Sequence, residues 1–600
     1  MEKVAVPTRR PNIVPPPRAR HASSRNNRSE RPTANPFRMF RQEVLLTLTQ
    51  RTAGILLPLF SLPGTPWTGT LGRGARGFAD FLARAGCRRW QMLPIGPIDG
   101  FHSPYSSVSA FAGETLYLDL DELADQGLLD RADLPAPDRE PAPAGGIRKA
   151  DYETARAART ALRRKAFARY RARKGGEAYR VREEAFYAEN RFWLDDYTLF
   201  RVLAEKFGTS DWPRWPEEYR DRAPDALGAA RREAAEEIAL HRFTQLVFDA
   251  QWRALKEYCN TRGVMILGDV PIYVGMASAD TWSNRGLFRL DAQGRPIRIS
   301  GAPADAFNPD GQRWDSPLYD WDRLAETGYT WWLRRLGKTL SRFDAVRLDH
   351  FIGFYNYYSF PVEKRDRAMP IRPDEPTGGL VPSTPIDPDG GFWTAGPRED
   401  FLDTVFAHLP KRAFIAEDLG VMTPGVHALR DHYDLPGMNV LLFTYEGLSG
   451  AAPDPMESVR PVAVACTGTH DTQTVRGWLD ALRNPDPAQP TDYTYIAETF
   501  RRHLTGEEKK QTEPGRMTNP AEAAPRDLDL LTRCGVREVL ASPAETALVP
   551  IQDFLGFDDR ARINFPGRSE NNWLWRLGEN DLTPDLADDV RRELSRTERV

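Results

Sequence analysis

The sequence predicts an α/β fold, a (β/α)8 TIM barrel, on three observations. Eight short apolar segments recur along the chain, each ending in polar or Gly/Pro punctuation. Helix-like stretches separate many of them, which implies βαβ units. Three of the apolar segments also carry an acidic residue at or just beyond their ends, where barrel enzymes place reactive groups.

The eight expected strands are Ile55–Phe60, Arg89–Pro94, Val264–Val270, Asp344–Asp349, Ala413–Glu417, Asn439–Phe443, Val462–Thr467 and Ala547–Gln552. Several are almost continuously hydrophobic, as strands buried on both faces must be. A helix over Phe243–Tyr258 precedes the third strand. About 170 residues separate the second strand from the third, too many for one crossover. Within that gap, residues 121–240 read as a largely helical inserted subdomain, with helices over Tyr152–Ala172 and Glu217–Ala239. Residues 482–530 read as a second insertion, Pro- and charge-rich in places. The barrel as a whole is expected over 49–600.

Residues 1–48 read differently, as a disordered basic extension. The first 42 carry ten Lys/Arg against Glu2 and Glu30, with seven prolines. Such a stretch buries too little apolar surface to offset its ordering entropy. An Arg-rich targeting peptide and an anion-binding arm are the sharper readings of it, and Met39 is a second candidate start.

Composition is that of an ordinary soluble protein, with 41% hydrophobic residues, 28% charged and a net charge of −3. No excess of positive charge points to nucleic acid, and no apolar run reaches the length of a membrane span. Cys87, Cys259, Cys466 and Cys534 lie far apart without a CxxC pair, which argues against a zinc site or disulfide framework and for a reducing, cytoplasmic setting. The chain is rich in aromatics, with 15 Trp, 19 Tyr and 29 Phe. Flat rings stack on the apolar face of a sugar, but they also fill large cores, so composition permits a carbohydrate site without establishing one.

The fourth strand brings Arg347 and Asp349 to the same side, because strand side chains alternate. A cation beside a carboxylate lowers its pKa and keeps it ionised, which suits a glycosyl nucleophile; a structural ion pair has the same appearance. The fifth strand runs Phe414-Ile-Ala-Glu417-Asp418. Its apolar approach favours a raised pKa for Glu417, as a general acid requires, while Asp418 is expected to cap the following helix. The seventh strand ends Thr467-Gly-Thr-His470-Asp471. By residue type alone this is a metal-ligand pair, a catalytic pair or a buried hydrogen-bonded histidine, and no HxH or HxxxH spacing completes a metal set. Three acids at three strand ends suit glycosyl transfer: a nucleophile, an acid/base and a third carboxylate on sugar hydroxyls.

These motifs resemble those of the amylomaltases, the disproportionating 4-α-glucanotransferases of the α-amylase clan. The likeness runs from Arg51 to Leu577. It includes Gly54-Ile-Leu-Leu-Pro-Leu-Phe-Ser-Leu-Pro-Gly64, Trp90-Gln-Met-Leu-Pro-Ile-Gly-Pro97, Ser103-Pro-Tyr105, Trp193-Leu-Asp-Asp-Tyr197, Gly268-Asp269-Val-Pro271 and Gly311-Gln-Arg-Trp314. Beyond the three acid motifs it continues through Leu435-Pro-Gly-Met438, Pro550-Ile-Gln-Asp553 and Arg562-Ile-Asn564-Phe-Pro-Gly567. The resemblance implies Asp349 as nucleophile, Glu417 as acid/base and Asp471 as transition-state stabiliser. It also implies a cleavage subsite held by Arg347 and His470 and lined by Ser103, Tyr105, Trp314 and Asn564. Trp314 remains open to a second reading, as a plain core tryptophan. The family implies no cofactor and no metal, with a maltooligosaccharide or glucan donor and a sugar acceptor as partners. A monomer is expected, although the sequence does not display its oligomeric state.

Four positions depart from the family pattern: Ile352 stands for Arg, Ser106 for Gln, Ala306 for Tyr and Thr472 for Asn. They bear on acceptor and chain-length preference and leave the three carboxylates untouched. Transfer and hydrolysis share their first half, so the residues themselves leave open a hydrolase or branching enzyme of the same clan, or a non-catalytic glucan-binding barrel.

Overall fold

The computed structural model of the chain describes residues 51–600 other than 99, 137–146, 305–310, 365–376, 378, 421–422, 447, 449–453, 483–491, 512–524 and 569. The expected extension over 1–48 and the Ala306 position therefore lie outside the described residues.

Eight parallel strands form the central sheet: β1 Thr52–Leu56, β2 Arg89–Gln91, β3 Met265–Val270, β4 Ala345–Leu348, β5 Phe414–Ala416, β6 Gly437–Val440, β7 Ala463–Cys466 and β8 Thr546–Pro550. Their order is β5-β4-β3-β2-β1-β8-β7-β6. The two outer strands meet where the Ala416 N–H donates to the Pro436 carbonyl at 2.8 Å, so the sheet nearly closes on itself. Helices surround it, and the architecture is a (β/α)8 barrel. The strand residues are buried almost throughout, which is why they read as unbroken apolar runs.

Each expected strand is present, but three are displaced. Where Ile55–Phe60 was expected, β1 ends at Leu56; Pro58 lacks an N–H for the ladder, and Leu59–Ser61 forms a 3-10 turn. Where Asn439–Phe443 was expected, β6 ends at Val440 and Leu441–Thr444 turns helical. Likewise β8 stops at Pro550, and Ile551–Leu555 is helix. A short apolar run does not by itself separate a strand from a buried helical turn.

Between β2 and β3 the chain is helical. The helix Tyr152–Arg171 starts where the Asp151 carboxylate accepts the Thr154 N–H at 3.0 Å. The expected helix Glu217–Ala239 is instead broken into Glu217–Arg220, Pro224–Glu233 and the start of Ala235–Asn260; Pro224 has no N–H to continue the first and is well placed to begin the second. Phe243–Tyr258 lies within the longer helix Ala235–Asn260. Residues 482–530 include the helices Tyr493–Arg501 and Gly506–Gln511 and the start of Pro525–Ala541.

A second, four-stranded antiparallel sheet was not anticipated. It runs Gln312–Pro317, Arg298–Ala302, Asn356–Pro361, Phe392–Ala395 in spatial order and packs Ile299, Tyr358 and Phe360 with Trp393. Its strands come from the β3–β4 and β4–β5 connections, on the side of the barrel where the acids emerge. Among the described residues no helix is long and apolar enough to cross a membrane.

Candidate active site

Strand register sets the centre of the site. Asp269 in β3 lies opposite Arg347 in β4, and Ile415 in β5 lies opposite the same arginine. Two residues further along, Glu417 therefore comes level with Asp349. The Gly268 position before Asp269 admits no side chain, because a Cβ there would meet the Phe343 ring at 2.4 Å.

Arg347 is buried and binds three carboxylates. Its Nη2 stands 2.7 Å from Asp349 Oδ1 and 3.0 Å from Asp269 Oδ2, and its Nη1 stands 3.9 Å from Glu417 Oε2. Alternation along β4 does place Arg347 and Asp349 together. The electrostatic expectation is corrected, however: burial pushes Asp349 up to about 6, outweighing the downward pull of Arg347, with Asp269 adding to the rise.

Glu417 is held by backbone. Its Oε2 accepts the His350 N–H at 2.6 Å and its Oε1 accepts the Leu419 N–H at 3.1 Å. His350 adopts a left-handed backbone, φ 49°, next to Asp349, so the nucleophile candidate and the acid candidate are joined through one peptide. Burial holds the Glu417 carboxyl well above the ordinary carboxylate range, Arg347 opposing and Asp349 assisting. Burial also pushes His350 down to about 4, leaving it neutral near pH 7. Asp418 does not cap the next helix, whose N-cap is Thr423. It accepts the Met438 N–H at 2.7 Å and pairs with Arg430, tying β5 to β6.

Asp471 is held differently. Its Oδ2 lies 3.1 Å from His470 Nε2, and its Oδ1 accepts from Asn564 Nδ2 at 2.6 Å. Burial would raise its pKa, but His470 and Asn564 together hold it at about 2. Asn564 also donates its backbone N–H to the His470 carbonyl at 3.1 Å.

Tyr105 links the two halves. Its hydroxyl donates to Asp269 Oδ2 at 2.7 Å, and its ring stacks on His470 with centroids 5.0 Å apart. The Ser103 hydroxyl oxygen accepts the Tyr105 N–H at 3.3 Å, within the same turn. Trp314 belongs to the second sheet rather than to the barrel; it sets an edge against His350 at 4.8 Å and is only half-buried, unlike a plain core tryptophan.

All nine residues singled out in the sequence thus belong to one contact network at the strand ends. Two members had not been assigned a part. Asp269 carries the same signal as Glu417, an acid closing an apolar strand; Trp573, 5.8 Å from both Tyr105 and His470, carries none. Among the described residues no group of three His, Cys, Asp or Glu side chains is placed to hold a metal ion.

A family model described as 4-alpha-glucanotransferase matches residues 57–581. The 4-alpha-glucanotransferase of Thermus thermophilus is 36% identical over 554 residues, covering 92% of this chain and 99% of the relative. The chloroplastic/amyloplastic 4-alpha-glucanotransferase of Solanum tuberosum is 33% identical over 549 residues, covering 90% of this chain and 85% of the relative. Among solved structures, the amylomaltase from Streptococcus agalactiae in complex with acarbose superposes with a TM-score of 0.76 at 28% identity, covering 92% of this chain and 100% of that chain. Matched in this way along nearly its whole described length, the chain belongs to the 4-alpha-glucanotransferase family.

Proposed function

We propose that this enzyme disproportionates maltooligosaccharides and other α-1,4-glucans by a retaining double displacement through a covalent glycosyl-enzyme. The observation that carries the reading is the unequal placement of Arg347, 2.7 Å from Asp349 and 3.9 Å from Glu417. Of two buried acids sharing one cation, the nearer is favoured as the anion and the farther keeps the proton.

Asp349 attacks the anomeric carbon while Glu417 gives its proton to the departing glycosidic oxygen. The C1–O bond breaks, a β-linked glycosyl-Asp349 ester forms, and the shortened glucan leaves with a free 4-hydroxyl. Glu417, now a carboxylate, takes the proton from the 4-hydroxyl of an incoming sugar. That oxygen attacks C1, Asp349 is released, and the α-linkage is restored. Asp471, ionised and fixed by His470 and Asn564, accepts hydrogen bonds from the sugar hydroxyls; Ser103, Tyr105 and Trp314 complete the subsite.

The four cysteines are free and buried, which supports a reducing, cytoplasmic place of action.

Incubation of the purified enzyme with maltotriose tests the reaction. Transfer yields glucose together with longer maltooligosaccharides at a constant number of reducing ends. A steady rise in reducing ends would instead assign a hydrolase.

A further inference from the structure

The connection from β7 to the helix Val475–Ala481 carries His470 and Asp471, and one side chain holds both of its ends. That side chain is Asp553, in the short helix that follows β8. Its Oδ2 accepts from the Thr467 hydroxyl at 2.6 Å, just before the connection, and its Oδ1 accepts the Val475 N–H at 2.8 Å, just after it. Asp553 is 2% exposed. Burial pushes its carboxyl up to about 6, against the Thr467 and Val475 donors.

The neighbouring residues continue the same scaffold. Asp559 accepts the Thr474 N–H at 3.0 Å and the Gln473 side-chain amide at 2.7 Å. It approaches so closely that a Cβ on Gly477 would lie 2.1 Å from its Oδ1. Arg562 donates to the Asp471 carbonyl at 2.8 Å. The segment 553–564 therefore shapes the 467–475 connection along its whole length.

We propose that Asp553 is a positioning residue for the transferase reaction, clamping Thr467 and Val475 so that the intervening turn presents Asp471 to the sugar. The inference rests on the reading of Asp471 as the third carboxylate. A hydrogen-bonding partner is needed at both ends of the turn at once, an acceptor at Val475 and either kind at the Thr467 hydroxyl. Asparagine meets that need, because the Thr467 hydroxyl can turn to accept from the amide while the amide oxygen keeps the Val475 N–H. Alanine leaves the buried Val475 N–H unsatisfied and frees the turn. A displacement on the ångström scale at a reacting centre costs up to about 100-fold in rate.

The test is steady-state transfer from α-maltotriosyl fluoride to glucose, because fluoride departs without a proton and keeps crippled variants measurable. D553A is expected to lower kcat about 30-fold with KM within about twofold, whereas D553N stays within about threefold of the parent. In a D471N background the further loss from D553A is expected to shrink below about threefold, since Asp553 acts through Asp471. Parental kcat in D553A, or an undiminished loss in the D471N background, overturns the inference while leaving Asp471 in its role. Parental turnover in D471N alone removes the reading of Asp471, and the inference with it. Should D553A fail to fold, Thr467→Val frees one end only and is expected to lower kcat in the same direction; an unchanged kcat there overturns the inference equally.

Discussion

Asp269 and Arg347 face each other across the β3–β4 pairing, the guanidinium 3.0 Å from a carboxylate whose side chain has no exposed surface. Asp269 also takes the Tyr105 hydroxyl, so one buried acid orients two residues of the site. Without Asp269 the Arg347 guanidinium keeps Asp349 at 2.7 Å and Glu417 at 3.9 Å, so the loss falls below the roughly 3–5 kcal/mol of a buried charge left with no partner. Asp269→Asn is accordingly expected to destabilise the fold by about 1–2 kcal/mol and to depress turnover at least about tenfold. Urea unfolding at fixed pH measures the first effect, and a midpoint equal to the parent's would contradict it.

The chemistry needs Asp349 ionised and Glu417 protonated, which sets the sign of each limb of the pH profile. Activity is expected to rise with pH as Asp349, lifted by burial to about 6, loses its proton. It falls again at higher pH as Glu417, raised well above its ordinary range, loses its own. Arg347→Met takes away the cation that lowers both values, so the acid limb should move to higher pH. A profile of kcat/KM from pH 4 to 10 checks this; an acid limb that stayed in place would show that Arg347 does not set it.

Asp349→Asn keeps the shape of the side chain and removes the nucleophile. Turnover is expected to fall by about 10⁴-fold or more, the scale seen when a covalent nucleophile is lost, while maltotriose still binds. Calorimetry on the variant follows binding and product analysis follows turnover. Unchanged activity would remove the assignment.

Asn564 makes a charge-assisted hydrogen bond to Asp471 at 2.6 Å, a contact worth about 1.5–3 kcal/mol. Asn564→Ala is expected to let the Asp471 pKa rise from about 2 and to lower kcat roughly 10- to 100-fold with little loss of stability. Melting temperature and kcat measured together separate this from simple unfolding.

Trp314 presents a partly exposed ring beside His350. Trp314→Ala is expected to raise KM for maltotriose about 3- to 10-fold and Trp314→Phe to raise it less, as stacking worth about 0.5–1.5 kcal/mol implies. A large drop in melting temperature with unchanged KM would return Trp314 to a core role.

Much of the barrel was legible because each strand is buried on both faces and so leaves a local trace, an apolar run of about the right length. Strand ends were less legible: Leu441–Thr444 is as apolar as the strand before it, and only the closing of the ring decides where extension stops. The second sheet left no local trace, since Arg298–Ala302 finds Asn356–Pro361 through a pairing that spans more than 50 residues. Asp269 was visible as an acid closing a strand, yet its role depends on Arg347, 78 positions away.

What the chain dictates locally is periodicity and order. Apolar runs specified eight buried strands, alternation placed Arg347 beside Asp349, and acids after β4, β5 and β7 marked one end of the barrel. Charge state was decided elsewhere. The pKa of Asp349 is raised rather than lowered, because desolvation by everything converging on the barrel mouth outweighs one adjacent cation. Asp471 is held low by the adjacent His470 and then by Asn564, which folds back from 93 positions on to donate to it. Residue type and spacing are written in one dimension; burial and long-range hydrogen bonding exist only once distant segments share a volume.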